Sequence, residues 1–339
     1  MKISTLVVQS MTGTPIPRAG RKDATTAETT IAVRNQSTLK CLPEAMDHTI
    51  RTIHVAWGLV HTIEITNPGD ERLADYVHLR ESSLRRRLEA GRGIFIAEGA
   101  KVIRRAVETG HVPKSLMLAE RWLAGLSDLL IGMDAPVYLV SEELAEQVTG
   151  FHVHRGALGA MYRREAWTLE QILVMDRVVV LEDIVDHTNV GAIIRCAAAL
   201  GWQGAILAPR CADPLYRRAI KTSMGAVFSL PWTRLASHDL SVLHRAGFET
   251  VAMALGDDAV DLGDYAAQVR SLDRRIALVL GTEGAGISRE WLARADLAVR
   301  IPMAAGIDSL NVATAAAVAC YELAPPASSS SGETTSISG

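Results

Sequence analysis

The chain has 339 residues, with 35 Lys and Arg against 38 Asp and Glu and a formal net charge of −3. That length accommodates two domains plus tails, and a hydrophobic share of 48% can fill sizeable cores. The near-neutral balance excludes binding of a polyanion by bulk charge, so any such contact must come from local patches. No apolar run approaches the roughly 18–20 residues needed for a membrane span. The start lacks the charged-then-apolar order of a signal peptide. Cys41, Cys196, Cys211 and Cys320 form no CxxC pair and no zinc-like cluster. The expectation is a cytoplasmic protein with reduced thiols, no metal and no membrane association.

Four segments are expected in chain order. Residues 1–60 read as a disordered or loose arm, because Ser10 to Ser37 is rich in Thr, Ala, Ser, Gly and Arg without an apolar period. Met46 is an alternative start. Residues 61–165 read as a small α/β domain. Asp70–Leu88 is expected as a helix with an Arg-rich end, Gly93–Ala97 as a strand and Glu98–Thr109 as a second helix. Ser115–Leu118 and Val137–Val140 are expected as strands, with Glu120–Asp128 helical between them. Ser141 resembles an N-cap followed by Glu142 and Glu143. Residues 166–324 form the second α/β unit, with strand candidates Val178–Leu181, Gly204–Leu207, Thr250–Ala254, Ile276–Leu280 and Ala298–Ile301. Helical patterns cover Val190–Ala199, Pro214–Lys221, His238–Ala246 and Leu310–Tyr321, which implies a mainly parallel sheet. Residues 325–339 are a Pro- and Ser-rich tail.

Ligands in open α/β sheets bind beyond the carboxyl ends of strands, so three loops draw the chemistry. The first runs from Leu181 to Arg195 and carries Asn189, Gly191 and Arg195. A helix starts near Asn189; Gly191 removes a side chain where something approaches. By itself this is also an ordinary strand–turn–helix with Asn as cap and a surface Arg. The second, Leu278–Ser288, is a glycine-rich turn with one carboxylate, Glu283, and is neither a P-loop nor GxGxxG. The third runs from Ile301 through Ser309-Leu310-Asn311 into a helix of small apolar residues, which must be buried on several sides.

These loops, in this order, resemble the SpoU (TrmH-like) branch of the SPOUT methyltransferases. Asn189, Gly191 and Arg195 match the family's Asn-x-Gly-x-x-x-Arg motif. Gly281, Glu283 and Gly286 match its Gly-x-Glu-x-x-Gly loop, and Ile301-Pro-Met with Ser309-Leu-Asn-Val matches its third motif. Lys221-Thr-Ser-Met-Gly-Ala226 with Leu230-Pro231 resembles a further segment. The likeness spans 177–323; His187-Thr188 stands where a proline and another residue are common. Phe95-Ile-Ala-Glu-Gly99 behind an Arg-rich helix resembles the ribosomal-protein-like domain that precedes the catalytic domain in many members and binds RNA. Arg85, Arg86, Arg87 and Arg92 are the expected RNA contacts, beside Arg80, Arg104 and Arg105.

The resemblance implies a knotted C-terminal domain and S-adenosyl-L-methionine as cofactor, held by Gly281, Ile301 and Leu310 with their neighbours Thr282 and Met303. An apolar wall with backbone amides suits an adenine ring. It implies methyl transfer to a ribose 2′-hydroxyl, of ribosomal RNA ahead of transfer RNA, by a homodimer. A hydroxyl is a poor nucleophile until its proton leaves or its oxyanion is stabilised. Arg195 is the residue at that point, and a pKa above about 12 favours charge stabilisation over proton removal. Asn189, Ser309 and Asn311 are expected to position the ribose or the arginine, and Glu283 to hold Arg195 or a loop. The competing readings are transfer-RNA 2′-O-methylation, methylation of a base nitrogen, and a non-catalytic RNA-binding ribosome-assembly factor.

Overall fold

A computed structural model of the chain describes residues 50–55, 58–77, 79, 89, 91–153, 156–256, 258–269, 272, 274–304 and 309–325. The expected arm up to residue 49, Met46, the Arg-rich end with Arg80, Arg85, Arg86 and Arg87, and the tail from 326 lie outside the described residues. Two sheets follow one another. The first is built from β1 (Ile50–Val55), β2 (Gly58–Glu64), β3 (Ile94–Glu98), β4 (Pro113–Leu118), β5 (Val137–Leu139) and β6 (Ala157–Tyr162), with helices α1 (Ala100–Glu108), α2 (Ser127–Leu130) and α3 (Glu142–Thr149). Its order is β1-β2-β5-β4-β6-β3, with β2, β5 and β4 parallel and the outer pairings antiparallel.

This sheet starts earlier than the expected boundary at residue 61. β1 lies within the segment read as an arm and pairs along β2 from Ile50↔Ile63 to Val55↔Gly58; its sequence IRTIHV is rich in the β-branched residues that favour strands. β6 was not anticipated, because ALGAMY is a short apolar run without alternation, a pattern that periodicity alone does not assign. Where a helix is expected over Asp70–Leu88, the described part holds a single 3-10 turn, Glu71–Leu73, capped by Asp70. Glu120–Asp128 likewise breaks into two 3-10 turns before α2, with Gly125, a poor helix former, inside the segment. Ser141 does cap α3, its hydroxyl accepting from the Leu144 amide at 3.1 Å.

The second unit comprises α4 (Leu169–Ile172), β7 (Arg177–Leu181), α5 (His187–Ala199), β8 (Gly204–Leu207), α6 (Arg217–Ser223), β9 (Trp232–Arg234), α7 (Ser241–Arg245), β10 (Glu249–Met253), β11 (Val260–Asp261), α8 (Leu262–Val269), β12 (Ile276–Leu280), α9 (Arg289–Arg294), β13 (Leu297–Arg300) and α10 (Val312–Glu322). The sheet order is β11-β13-β10-β12-β7-β8-β9, and every pairing in it is parallel. Parallel strands covered on both faces read as unbroken apolar runs. Val178, Val179, Val180 and Leu181 in β7 and Ile276 to Leu280 in β12 are buried accordingly, each such side chain contributing roughly 1.5–3 kcal/mol. Among the described residues no helix is long and apolar enough to cross a membrane.

The chain leaves β7 toward β8 and β9 on one side and returns through β10 and β12 on the other. β7 and β12 are therefore neighbours at the point where strand order reverses, in register to their last residues, Leu181↔Leu280. A reversal of this kind opens a crevice at the carboxyl ends of the strands, and the first two loops emerge there side by side.

Both sheets feed one apolar cluster. Phe95 and Ala97 of β3 belong to the cluster that contains β7 and β12, while Ile96 between them faces a second cluster with Tyr76, Met117 and Leu158. The Phe95 ring lies 5.3 Å from that of Phe228, and the His111 ring meets Phe95 edge-on at 5.2 Å. At the other end of the second unit, buried Arg177 donates from Nε to the Leu323 carbonyl at 3.3 Å. That satisfies a carbonyl just past α10, where the helix dipole favours a cation.

Gly191 explains how α5 and α6 pack. A Cβ at this position would lie 2.4 Å from the Ala219 carbonyl oxygen, so what approaches the glycine is the α6 backbone rather than a ligand. Gly191→Ala is expected to destabilise the protein by about 1–3 kcal/mol, despite the better helix propensity of Ala. Thermal unfolding measures this; an unchanged or raised melting temperature would contradict the crossing.

Candidate active site

Asp186, not Asn189, caps α5. Its carboxylate accepts from the Thr188 amide at 2.6 Å and the Asn189 amide at 3.0 Å. Burial works to raise the Asp186 pKa, but these amide hydrogen bonds outweigh it and hold the carboxyl below its ordinary value. The cap fixes where the helix begins, at His187, and so turns Asn189 inward from the first turn. His187 takes the first helical position, where proline fits well, and its ring packs on Tyr216 with centroids 4.2 Å apart.

Three loops meet through three side chains. Asn189 is buried and donates from Nδ2 to Glu283 Oε1 at 2.7 Å. Asn311 donates from Nδ2 to the same Glu283 oxygen at 2.5 Å and to Asn189 Oδ1 at 3.1 Å. The Asn311 side-chain oxygen Oδ1 meanwhile caps α10, accepting from the amides of Ala313 at 2.9 Å and Thr314 at 3.4 Å. One asparagine thus both starts a helix and closes the network. Glu283 sits in a narrow turn closed by hydrogen bonds in both directions between Thr282 and Gly286. Gly281 is required for that closure, since a Cβ there would lie 2.2 Å from the Gly286 carbonyl carbon. The far end of the turn is held by buried Glu182, which accepts from the Ser288 amide at 2.8 Å.

The expected partners of Arg195 are arranged differently. Glu283 holds the two asparagines and not the arginine, and Asn189 and Asn311 bond to each other and to Glu283. Arg195 is exposed and has no ion pair or hydrogen bond among the described residues. Ser309 is exposed just ahead of Asn311. Of the expected cofactor contacts, Gly281 is buried, Thr282, Ile301 and Met303 are half-buried, and Leu310 is exposed; residues 305–308 of the third loop lie outside the described residues. Among the expected RNA contacts, Arg92 is tied down, donating to Asp75 at 2.7 Å and to the Ala74 carbonyl at 3.2 Å. Sequence reading missed Asp186 and Glu182. Asp186 carried a signal in its type, a helix-capping residue three positions before Asn189; the Glu182 contact spans 106 positions and had none.

Glu283→Ala leaves the buried Asn189 amide without its acceptor, a loss of about 1–3 kcal/mol. Glu283→Gln keeps an accepting oxygen and is expected to retain most of that stability. Chemical unfolding of the two variants distinguishes them, and equal stability of both with the parent protein would contradict the network.

Comparison with known proteins agrees with this arrangement. A profile of the SpoU rRNA Methylase family matches residues 176–321. A Mycobacterium tuberculosis protein described as an uncharacterized tRNA/rRNA methyltransferase is 40% identical over 262 residues, covering 76% of this chain and 90% of its own. The Bacillus subtilis 23S rRNA (guanosine(2553)-2′-O)-methyltransferase RlmP is 25% identical over 262 residues, covering 77% and 98%. The crystal structure of the SpoU methyltransferase AviRb from Streptomyces viridochromogenes, in complex with the cofactor AdoMet, superimposes with a TM-score of 0.64 at 26% identity, over 75% of this chain and 98% of that one. With the three motif loops converging at one sheet edge, the chain belongs to the SpoU RNA methyltransferase family.

Proposed function

We propose that this protein transfers a methyl group from S-adenosyl-L-methionine to a ribose 2′-hydroxyl of RNA, with ribosomal RNA as the substrate. The observation that carries the reading is the junction of Asn189, Glu283 and Asn311, which draws all three loops to one strand edge and leaves Arg195 on the same helix without a partner among the described residues. RlmP and AviRb support the substrate and the cofactor respectively by what their descriptions state.

The residues at this edge fit such a cofactor. Leu310 is 39% exposed and Ile301 and Met303 are half-buried, so apolar surface remains uncovered beside a polar network. A purine carrying a charged tail needs that combination. Gly281, Thr282, Ile301, Met303 and Leu310 would hold it, within the knotted topology of the family. When bound, the cofactor supplies a methyl group already activated by the sulfonium charge. The protein's task is then the acceptor. Arg195 binds the phosphate beside the target ribose and stabilises charge developing on its 2′ oxygen. Because a guanidinium stays protonated, it acts as a donor there. Ser309 and Asn311 orient the ribose, while Asn189 and Glu283 keep the Asn311 amide aimed.

The active species we infer is a homodimer. Val318 and Tyr321 of α10 are 37% and 69% exposed and share a helix face with exposed Thr314. The adjoining α5 offers Ala192 and Ala199 around Arg195. Covering this surface with a second copy removes exposed apolar area and brings the arginine of each chain against the other.

Arg195→Ala is expected to lower single-turnover methylation by roughly 10²–10³, the scale for one preorganised donor, while calorimetry finds binding of S-adenosylhomocysteine unchanged. Nuclease digestion of the product must release nucleosides methylated on the sugar. A methyl on the base, or wild-type turnover by the variant, would refute the assignment. In light scattering the protein is expected as a dimer that Tyr321→Glu dissociates; a fully active monomer would rule out a shared site.

A further inference from the structure

The segment Phe95-Ile-Ala-Glu-Gly99 does more than mark a domain. Glu98, its side chain 5% exposed, accepts from Arg217 Nη1 of α6 at 2.8 Å and pairs with Lys221 Nζ at 3.4 Å. Arg217 also donates to the Leu79 carbonyl at 3.2 Å and lies over the Phe151 ring at 4.5 Å. From the other side, Arg105 of α1 donates from Nη1 to the Met224 carbonyl at the end of α6, at 2.7 Å. Helices α1 and α6, one from each sheet, are thereby fixed against each other.

Charge is unbalanced along this seam. Elsewhere in the first unit most described cations have carboxylates: Arg72 with Asp70, Arg92 and Lys114 with Asp75, Arg104 with Asp128, Arg121 with Glu142, whereas Arg164 donates to the Thr109 carbonyl. Among the described residues, buried Glu98 faces both Arg217 and Lys221 and is closer to Arg217, while the other acid that bridges the two units, Asp213, pairs with Arg163 at 2.7 Å. Lys221 remains 53% exposed. Arg105 meets only a carbonyl, and exposed Lys101, one turn before it on α1, and Arg218, beside Arg217, have no ion pair among the described residues. Glu108 at the end of α1 is the exposed acid nearest in sequence to Arg105. Lys101, Arg105, Lys221 and Arg218 therefore form a cationic strip across the junction. The strip runs onto the helix whose Ala219 crosses Gly191, and Arg195 lies one turn beyond that glycine on α5.

We propose that this strip is the track for the RNA phosphate backbone that delivers the target nucleotide to Arg195. The proposal rests on the methyltransferase reading for the identity of the polyanion and on the seam itself for the place. Exposed lysines and arginines one turn apart, three of the four without an ion pair among the described residues and Lys221 only loosely held by Glu98 at 3.4 Å, suit phosphates, which position a nucleic acid without reading its sequence. The clamp on Glu98 holds the strip in one geometry relative to the site. Here, rather than in Arg92, lies the first unit's described contribution to RNA binding.

The test uses the full chain carrying Lys101→Gln, Arg218→Gln and Lys221→Gln together, with Arg121→Gln as a control on a paired surface cation. Binding of a short mixed-sequence single-stranded RNA is followed by fluorescence anisotropy across a salt series, and binding of S-adenosylhomocysteine by calorimetry. The slope of log affinity against log salt is expected to shrink by about 2 in the triple variant, roughly 0.7 for each lost phosphate contact. The control keeps the parent slope, and cofactor-product binding stays the same in all three proteins. An unchanged slope in the triple variant overturns the strip even if the parent methylates RNA. A reduced slope in a protein that neither binds S-adenosylhomocysteine nor transfers methyl keeps the strip and overturns the methyltransferase reading.

Discussion

One oxygen, Glu283 Oε1, accepts hydrogen bonds from both Asn189 and Asn311. The residues it joins are 94 and 28 positions away in sequence, so the contact closes long loops and has to repay their entropy. Two neutral amides on one carboxylate make charge-assisted bonds without neutralising the acid. Glu283 is thereby committed to the asparagines, and Arg195, without an ion pair among the described residues, stays available for an anionic ligand. An Arg195–Glu283 pair, one of the two roles the sequence allows for Glu283, would consume both charges. The surrounding devices serve this junction. Asp186 sets the first residue of α5 and so the heading of Asn189, Gly281 lets the turn fold back on itself, and Glu182 ties down its far end.

The two sheets divide the work. The parallel sheet supplies strand ends in register at a reversal point, which gives the loops a common rigid base. The mixed sheet supplies a face that continues the same apolar cluster through Phe95 and Ala97, so the units are joined by packing as well as by the Glu98 ion pairs. A rigid joint matters to an enzyme that must place one hydroxyl of a long polymer, because misplacement by about 1 Å costs on the order of 10²-fold in rate.

Much of the parallel sheet was legible in the sequence. Central buried strands are unbroken apolar runs, and Val178–Leu181 and Ile276–Leu280 are strands of the sheet, the first beginning one residue earlier at Arg177. The three loops were legible as motifs, the first two following such strands and the third following the half-buried β13. In the mixed sheet β3, β4 and β5 were legible as well, but two strands were not: β1 sits in sequence that looks like linker, and β6 is too uniformly apolar to show a period. The meaning of single residues also depended on partners distant in sequence. Gly191 reads in sequence as a place where something approaches, and the approaching group is the Ala219 carbonyl of α6. Asn189 looked like a cap because Asp186, a better one, is separated from it by only two residues. The FIAEG segment pointed to the first domain, but its phenylalanine and glutamate face the second, through Phe228, Arg217 and Lys221.

The site depends on the amides of Asn189 and Asn311 acting as one unit through Glu283. A double-mutant cycle with Asn189→Ala and Asn311→Ser, the serine retaining a capping oxygen for α10, measures this directly on single-turnover formation of 2′-O-methylated nucleosides. The double variant is expected to be little worse than the more damaged single variant, with a coupling of about 0.5–3 kcal/mol. Losses that simply add would mean that the two asparagines act independently and that the junction is not what holds the site.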